Sequence, residues 1–309
     1  MPSELIGTDI GEAVRRLRSG GVVAIPTETV YGLAADVTNA VAVARIFDIK
    51  GRPHGHPLIL HLGSAADIDR WSDQPSASAR LLAELAWPGP LTLIVPASAA
   101  VPSEVTGGRS SVGLRSPAHP IAAELLQQLG GGVVAPSANR FGAVSPTTPQ
   151  HVLDDLGDRL DPATDMILDG GPCSIGVEST IVDTTVDPPQ LLRSGAITAH
   201  DIETLIGEPV AGACGPARAS GMLGSHYAPN CQVRLVDSAD DALALRAGTP
   251  GSAILDLTAD VADYARRLYG ELRAADERGV RTLIAVLPPA EGLGHAIRDR
   301  LTKAAAPRP

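Results

Sequence analysis

Lysine is nearly absent from this 309-residue chain. Of 25 basic residues only Lys50 and Lys303 are lysines, and the others are arginines. Aromatic residues are scarce at 3%, so a core drawn from the 44% hydrophobic content has to be built from Val, Leu, Ile and Ala. The formal net charge of −10, with no run of Lys and Arg, excludes coating of nucleic acid by bulk charge and leaves only a local basic groove. Cys173, Cys214 and Cys231 show no C-x-x-C spacing. That disfavours a disulfide framework or a zinc ribbon and fits a reducing cytoplasm. No apolar run approaches the roughly 18 residues of a membrane span, and no basic patch with an apolar core opens the chain. The expectation is a cytoplasmic protein with no membrane contact. G-x-x-x-x-G-K-[ST], G-x-S-x-G and G-x-G-x-x-G are all missing. A Walker-type phosphate loop, a serine-hydrolase elbow and a dinucleotide fingerprint therefore have no support.

What is present is an alternation of helical and strand-like segments. "IGEAVRRLRSGG" has helical periodicity and a glycine stop, and the strand "VVAIP" follows. "NAVAVARIFDIKG" has Asn39 as a cap and Gly51 past its end, and "HPIAAELLQQLGGG" has the proline-first, glycine-last asymmetry of a helix. "PLILHL", "PLTLIVPA", "SSVGLRSP", "VVAPSAN", "MILDGG", "STIVDTT" and "QLLRSG" read as short strands. The pattern fails between about Ile206 and Asn230, a Gly/Ala/Pro-rich linker or ordered loop. Three strand–helix pairs follow and predict a small parallel sheet. The expected organisation is a main α/β domain over 1–205, a linker over 206–230 and a small α/β domain over 231–309.

Four clusters could carry chemistry. In "PTETVYG" a buried strand runs into Pro26, Thr27, Glu28, Thr29, Tyr31 and Gly32, donors suited to a small polar ligand. A turn or helix cap would use the same residue types. "KGRPHGHPLILH" places Lys50 and Arg52 around a glycine, where a point charge and a planar fork could meet one anion. His54, His56 and His61 also lie there. A metal reading is disfavoured because His56 and His61 differ by an odd number and would face opposite sides of a strand, and no metal ligands are assigned. "VVAPSANRFGAVSP" carries Ser137 and Asn139, two apart and so expected on one side as the strand ends, with Ser145 beyond. Finally, Arg115 and Arg193 sit inside apolar runs near Ser111 and Ser179. Burial without anionic partners would be costly there, and structural salt bridges are the alternative.

Taken together, "VVAIPTETVYGL", "IFDIKGRP" followed by "PLILHL", "WPGPLTLIVP", "VGLRSPAHP", "VVAPSAN", "GVESTIVD" and "LLRSGAI" resemble the YrdC-like family, in unbroken order from about Gly21 to Ile197. Its Lys-x-Arg and Ser-x-Asn pairs fall at Lys50/Arg52 and Ser137/Asn139. "SGMLGSHYAP" followed by a small α/β domain resembles the long two-domain form. The resemblance implies a YrdC-like twisted open mixed sheet with flanking helices, plus a smaller Rossmann-like parallel domain at the C-terminus. It also implies a nucleotidyltransferase that makes threonylcarbamoyl-AMP and pyrophosphate from L-threonine, bicarbonate and ATP with Mg2+. The adenylate would pass to tRNA-modifying partner proteins, with at most weak contact to tRNA itself.

Carried over residue by residue, the resemblance implies L-threonine contacts from Thr29, His61, Arg115, Ala135 and Ser179. It implies ATP contacts from Lys50, Arg52, His56, Ser111, Ser137, Asn139, Ser145, Arg193 and Tyr227, with Lys50 and Arg52 as the catalytic cations. The chain departs from the family at His56, where asparagine is usual, and at Ser220 and Ser225 of the linker, where proline and a basic residue are usual. Two rivals are weighed against this reading. A non-enzymatic RNA-binding module would bind tRNA without forming an adenylate. A carbamoyl-adenylate enzyme would respond to carbamoyl phosphate instead of threonine.

Overall fold

The computed structural model describes residues 4–214 and 226–307. Eleven strands form one mixed sheet: β1 (Ile6–Gly7), β2 (Val23–Ile25), β3 (Gly32–Asp36), β4 (Ile59–His61), β5 (Leu91–Pro96), β6 (Ser111–Arg115), β7 (Val133–Val134), β8 (Met166–Leu168), β9 (Thr180–Asp183), β10 (Gln190–Arg193) and β11 (Ala211–Gly212). Their order across the sheet is β1-β8-β2-β3-β7-β4-β6-β5-β9-β10-β11. A second sheet, all parallel, has the order β12-β14-β13, with β12 at Gln232–Val236, β13 at Ser252–Leu255 and β14 at Thr282–Val286. The helices are α1 (Ile10–Arg18), α2 (Ala40–Lys50), α3 (Ile68–Trp71), α4 (Ala77–Ala86), α5 (Ser103–Thr106), α6 (Pro120–Leu129), α7 (Pro149–Leu156), α8 (Ala199–Ile206), α9 (Ala239–Ala247), α10 (Val261–Glu277) and α11 (Leu293–Ala305).

Strand alternation assigns the two faces of the large sheet. Ala24, Leu33, Ala35, Leu60, Leu93 and Leu114 join Val43, Ile46 and Phe47 of α2 and Leu82 of α4 in one core. Val23, Ile25, Ala34 and Val133 point the other way, onto Val14 and Leu17 of α1 and Leu125 and Leu126 of α6. On β4, Leu60 belongs to the first core, so Ile59 and His61 emerge on the opposite face. Arg115 shares that face, two residues from Gly113 on β6 and in register with His61. Around β4 and β6 the sheet thus presents polar side chains on one face and packs an apolar core on the other.

Helix ends follow the sequence closely. Asn39 caps α2 by accepting from the Ala42 amide at 3.1 Å, and Pro120 opens α6. The expected parallel C-terminal sheet is present, with every strand and helix that the pattern predicts. Two expectations change, and one falls outside what the structure describes. "VVAPSAN" is regular strand only at Val133–Val134, and beyond it Ala135, Pro136 and Ala138 still hydrogen-bond to Ile59, Leu33 and Tyr31, with Ser137 in an isolated bridge to Gly32. Residues 211–212 of the expected linker pair in parallel with β10 as β11. Residues 215–225, including the departures at Ser220 and Ser225, lie outside the described residues. Sequence patterning also missed β3 and α7, short elements inside loop-like stretches.

The core around α10 and α11 takes in Val30, Val144 and Val177 of the preceding chain, together with Tyr227, Tyr264 and Tyr269. Closest approach falls at Gly176, where φ is +87° and a Cβ would stand 2.5 Å from the Ala265 carbonyl oxygen of α10. A side chain there meets both backbone strain and a backbone wall. Gly176→Ala is expected to lower stability by at least about 2 kcal/mol, read as a fall of several degrees in the thermal midpoint. An unchanged midpoint would show that the junction tolerates separation.

Candidate active site

One cavity gathers residues that are far apart in sequence. Its lining is Thr27, Thr29, Val30 and Gly32 after β2, Arg52, Ile59 and His61, Arg115, Ala135 to Ser137, Glu178 and Ser179, Arg193, and His226 and Tyr227. The space enclosed by the walls is about 60 Å3, and about 610 Å3 when the mouth open to solvent is counted.

The wall after β2 is built by local hydrogen bonding. Thr27 Oγ1 donates to the Val30 carbonyl at 2.6 Å and lies 2.8 Å from Thr29 Oγ1. Arg115 is buried and held on three sides. Its Nη1 donates to Thr29 Oγ1 at 2.9 Å, its Nε donates to the Gly89 carbonyl at 3.2 Å, and its Nη2 stands 2.7 Å from Glu28 Oε1. His61 lies alongside. Burial, and then the Arg115 charge, push its imidazole down to about 3, so it is neutral at physiological pH. Ser179 Oγ stands 2.8 Å from Thr92 Oγ1 and accepts from Arg193 Nη2 at 3.0 Å, and Arg193 Nε donates to the Ser179 carbonyl at 3.0 Å.

The opposite wall contains Arg52 and Ser137. Burial lowers the Arg52 guanidinium to about 10, which leaves it charged at neutral pH. Its Nη2 donates to the Pro57 carbonyl at 3.0 Å and its guanidinium lies 5.6 Å from the centre of the Phe141 ring. The edge of this ring group is His56, T-shaped on Phe141 at 5.4 Å.

The third wall closes the cavity through Glu178 and the His226–Tyr227 pair. Glu178 is buried and accepts from Ser145 Oγ at 2.6 Å, from the Tyr269 hydroxyl at 2.8 Å, and from Arg300 Nε at 2.8 Å. Burial alone would raise its carboxyl. The charges of Arg300 and Arg193, with the hydrogen bonds, outweigh burial and hold it at about 2. Tyr227 has φ +61°, a conformation that costs a residue with a Cβ roughly 1–2 kcal/mol. Its ring is stacked 5.7 Å from Tyr269 and covered by the Arg300 guanidinium at 5.4 Å. Burial is the main cause that lowers His226 to about 4. With both histidines neutral, Arg52, Arg115 and Arg193 outnumber the carboxylates of Glu178 and Glu28, and the cavity is net positive. A desolvated positive surface of this kind suits an anionic ligand.

Of the residues proposed from sequence, Thr29, His61, Arg115, Ala135, Ser179, Arg52, Ser137, Arg193 and Tyr227 line the cavity. Five do not. Lys50 and Arg52 do not converge on one anion. The Lys50 side chain is buried behind the wall, where burial and then the Arg52 charge lower its amine well below the ordinary lysine value, and it donates to the Ser137 and Asn139 carbonyls, each at 2.5 Å. Asn139 does not join Ser137 in the cavity lining. Its Nδ2 donates instead to the Arg140 carbonyl at 3.0 Å and the Ala143 carbonyl at 2.8 Å. Ser145 is committed to Glu178, His56 sits with Phe141, and Ser111 lies at the start of β6, four residues from Arg115. Tyr31 also turns away, donating to the Gly171 carbonyl at 2.7 Å. Sequence reasoning missed Glu178, Tyr269 and Arg300. The signal available was an acid beside an apolar strand, which burial obliges to find cations. Among the described residues no group of three His, Cys, Asp or Glu side chains could hold a metal ion.

These features define a YrdC-like α/β fold with a small-ligand site suited to anions. A family model, Sua5_yciO_yrdC, described as "Telomere recombination", matches residues 15–195, and a second, described as "Threonylcarbamoyl-AMP synthase, C-terminal domain", matches residues 197–306. The chain belongs to the Sua5/YciO/YrdC family. It is similar to the threonylcarbamoyl-AMP synthase of Pyrococcus abyssi, 39% identical over 318 residues, covering 94% of this chain and 92% of that protein. The Bacillus subtilis threonylcarbamoyl-AMP synthase is 37% identical over 328 residues, covering 97% and 93%. The crystal structure of P. abyssi Sua5 complexed with L-threonine matches with a TM-score of 0.87 at 38% identity, covering 96% of this chain and 94% of that one.

Two predictions follow from this geometry. His61 and His226 are held neutral by the fold, so their ring resonances are expected not to titrate between pH 5 and 8 by NMR. A midpoint near 6.5 in the folded protein would contradict the burial argument. Lys50→Met would leave two buried carbonyls without donors, at about 1–3 kcal/mol each. Urea denaturation should show a loss of that order, and an unchanged midpoint would mean that the Ser137 loop does not depend on the Lys50 donor.

Proposed function

We propose that this chain is a threonylcarbamoyl-AMP synthase, a nucleotidyltransferase that joins L-threonine, bicarbonate or CO2, and ATP into threonylcarbamoyl-AMP with release of pyrophosphate. The adenylate would serve partner enzymes that modify tRNA adenosine beside the anticodon. The observation that carries the reading is the meeting of Thr29, His61, Arg115 and Ser179 with Arg52, Ser137 and Arg193 in one cavity. The first group suits an amino acid and the second a polyphosphate.

The chemistry asks for positioning and charge more than for a side-chain nucleophile. Threonine's amine takes up CO2 and loses a proton, giving an N-carboxylate. A carboxylate oxygen then attacks the α-phosphorus, and the bond to pyrophosphate breaks. On this reading Arg115, oriented by Glu28, Gly89 and Thr29, binds the threonine carboxylate. Neutral His61 leaves the amine nucleophilic, since no imidazolium competes for it. Arg52 and Arg193 meet the charge that builds on the phosphates. Lys50 acts indirectly by fixing the Ser137 loop. Tyr227 and His226 exclude water from an N-carboxylate that would otherwise decompose. Among the described residues no group of three acidic, His or Cys side chains could cage Mg2+. The ion would arrive as part of the nucleotide substrate and offset its charge.

The test is pyrophosphate release with ATP, Mg2+ and bicarbonate, with and without L-threonine, alongside mass spectrometry of the adenylate. Threonine-dependent release is expected, and release indifferent to threonine would overturn the reading. Arg115→Ala should raise the KM for threonine at least tenfold, as expected for loss of a charge-assisted contact. The KM for ATP should change much less.

A further inference from the structure

The C-terminal α/β layer contributes Tyr269 and Arg300, neither of which lines the cavity, yet both grip residues that do. Arg300 is fully buried on α11. Its Nε donates to Glu178 Oε2 at 2.8 Å, its Nη1 to Asp299 Oδ2 at 2.6 Å, and its planar face covers the Tyr227 ring at 5.4 Å. Tyr269 on α10 donates to Glu178 Oε2 at 2.8 Å and stacks on Tyr227 at 5.7 Å. The segment that carries Tyr227 is tied down on both sides. The Ala228 amide donates to the Gly142 carbonyl at 3.3 Å, and the Asn230 and Cys231 amides donate to the Asp276 carboxylate at 2.7 and 2.8 Å. A second ion pair across the junction, Arg273 with Asp155 at 2.6 Å, fixes α10 against α7.

We propose that Arg300 and Tyr269 are positioning residues for the cavity: they hold Glu178 and Tyr227 in place from behind, so that the C-terminal layer forms part of the machinery without touching substrate. A guanidinium and a phenol that only stabilised the fold would have no need to meet on two cavity-wall side chains. Tyr227 is also in a backbone conformation that neighbours must enforce, and beside the adjacent His226 the groups packed on its ring are these same residues. Glu178 in turn orients Ser145, so one buried carboxylate connects the loop after Asn139 to α10 and α11.

The kinetic part of this inference rests on the synthase reading, and the structural part does not. Arg300→Met is expected to cut kcat at saturating threonine and ATP by at least tenfold, with a smaller change in either KM. Arg300→Lys should restore part of the rate by returning the charge. The groups facing Glu178 are Ser145, Arg193 of β10, Tyr269 of α10, Arg300 and Asp299 of α11, and the His226–Tyr227 pair. Removing the Arg300 cation leaves burial less opposed, so the Glu178 carboxyl rises. The acid limb of the rate profile should then move to higher pH, a change that mere loss of stability would not produce. Tyr269→Phe keeps the ring stack and is the milder variant, expected to lower kcat several-fold with the same shift.

Should Arg300→Met fail to fold, Tyr269→Phe decides. A kcat within twofold of wild type and an unmoved acid limb would overturn the proposal. If the wild-type protein shows no threonine-dependent turnover, the synthase reading fails alone. The positioning claim is then settled by the crystal structure of Tyr269→Phe. Displaced Glu178 and Tyr227 side chains support it, and unmoved ones overturn it.

Discussion

The buried carboxylate of Glu178 is the constraint on which the rest of the site depends. A lone carboxylate in that position would be expelled or protonated, because removing it from water costs several kcal/mol. It stays ionised because the charges of Arg300 and Arg193, with hydrogen bonds from Ser145, Tyr269 and Arg300, outweigh burial. Each of those contacts fixes a different piece of the cavity. Ser145 holds the loop that follows Asn139, Tyr269 and Arg300 hold the ring of Tyr227, and Arg193 lies beside Ser179. Breaking such a group at one partner costs about 3–5 kcal/mol, so the arrangement behaves as one unit.

The remainder of the cavity follows from a division between its two faces. One face of the central strands is committed to an apolar core with α2 and α4, which frees the other to carry Ile59, His61 and Arg115. Arginine, not lysine, supplies the charge, and its planar fork allows one residue to serve both structure and ligand. Arg115 keeps its orientation through Thr29, Gly89 and Glu28, so little freedom is left to lose when an anion arrives. Gly195 lies against β9 two residues beyond Arg193. A Cβ there would stand 2.3 Å from the Thr180 amide nitrogen, and the close fit sets the path of the chain that leaves Arg193.

Much of this was legible in the sequence, for identifiable reasons. Caps such as Asn39, the proline-first helix α6 and the alternating strands of the C-terminal sheet are local signals, and the structure contains each of them. The arginines inside apolar runs at Arg115 and Arg193 announced buried charge. The geometry behind the wall was not legible. Nothing local says that the Lys50 side chain would turn to two carbonyls. Nor does spacing connect Glu178 to Arg300, 122 residues away. Contacts of that range are set by how the two sheets pack, and no short pattern encodes them.

The central claim is that the site is shared between the large sheet and the C-terminal layer. Hydrogen–deuterium exchange, with and without L-threonine plus a non-hydrolysable ATP analogue, tests it most directly. The account predicts that protection rises together at residues 27–32 and 135–145 on one side, and at residues 176–179, 226–231 and 264–272 on the other. Protection confined to the first group, with the second unchanged, would contradict it.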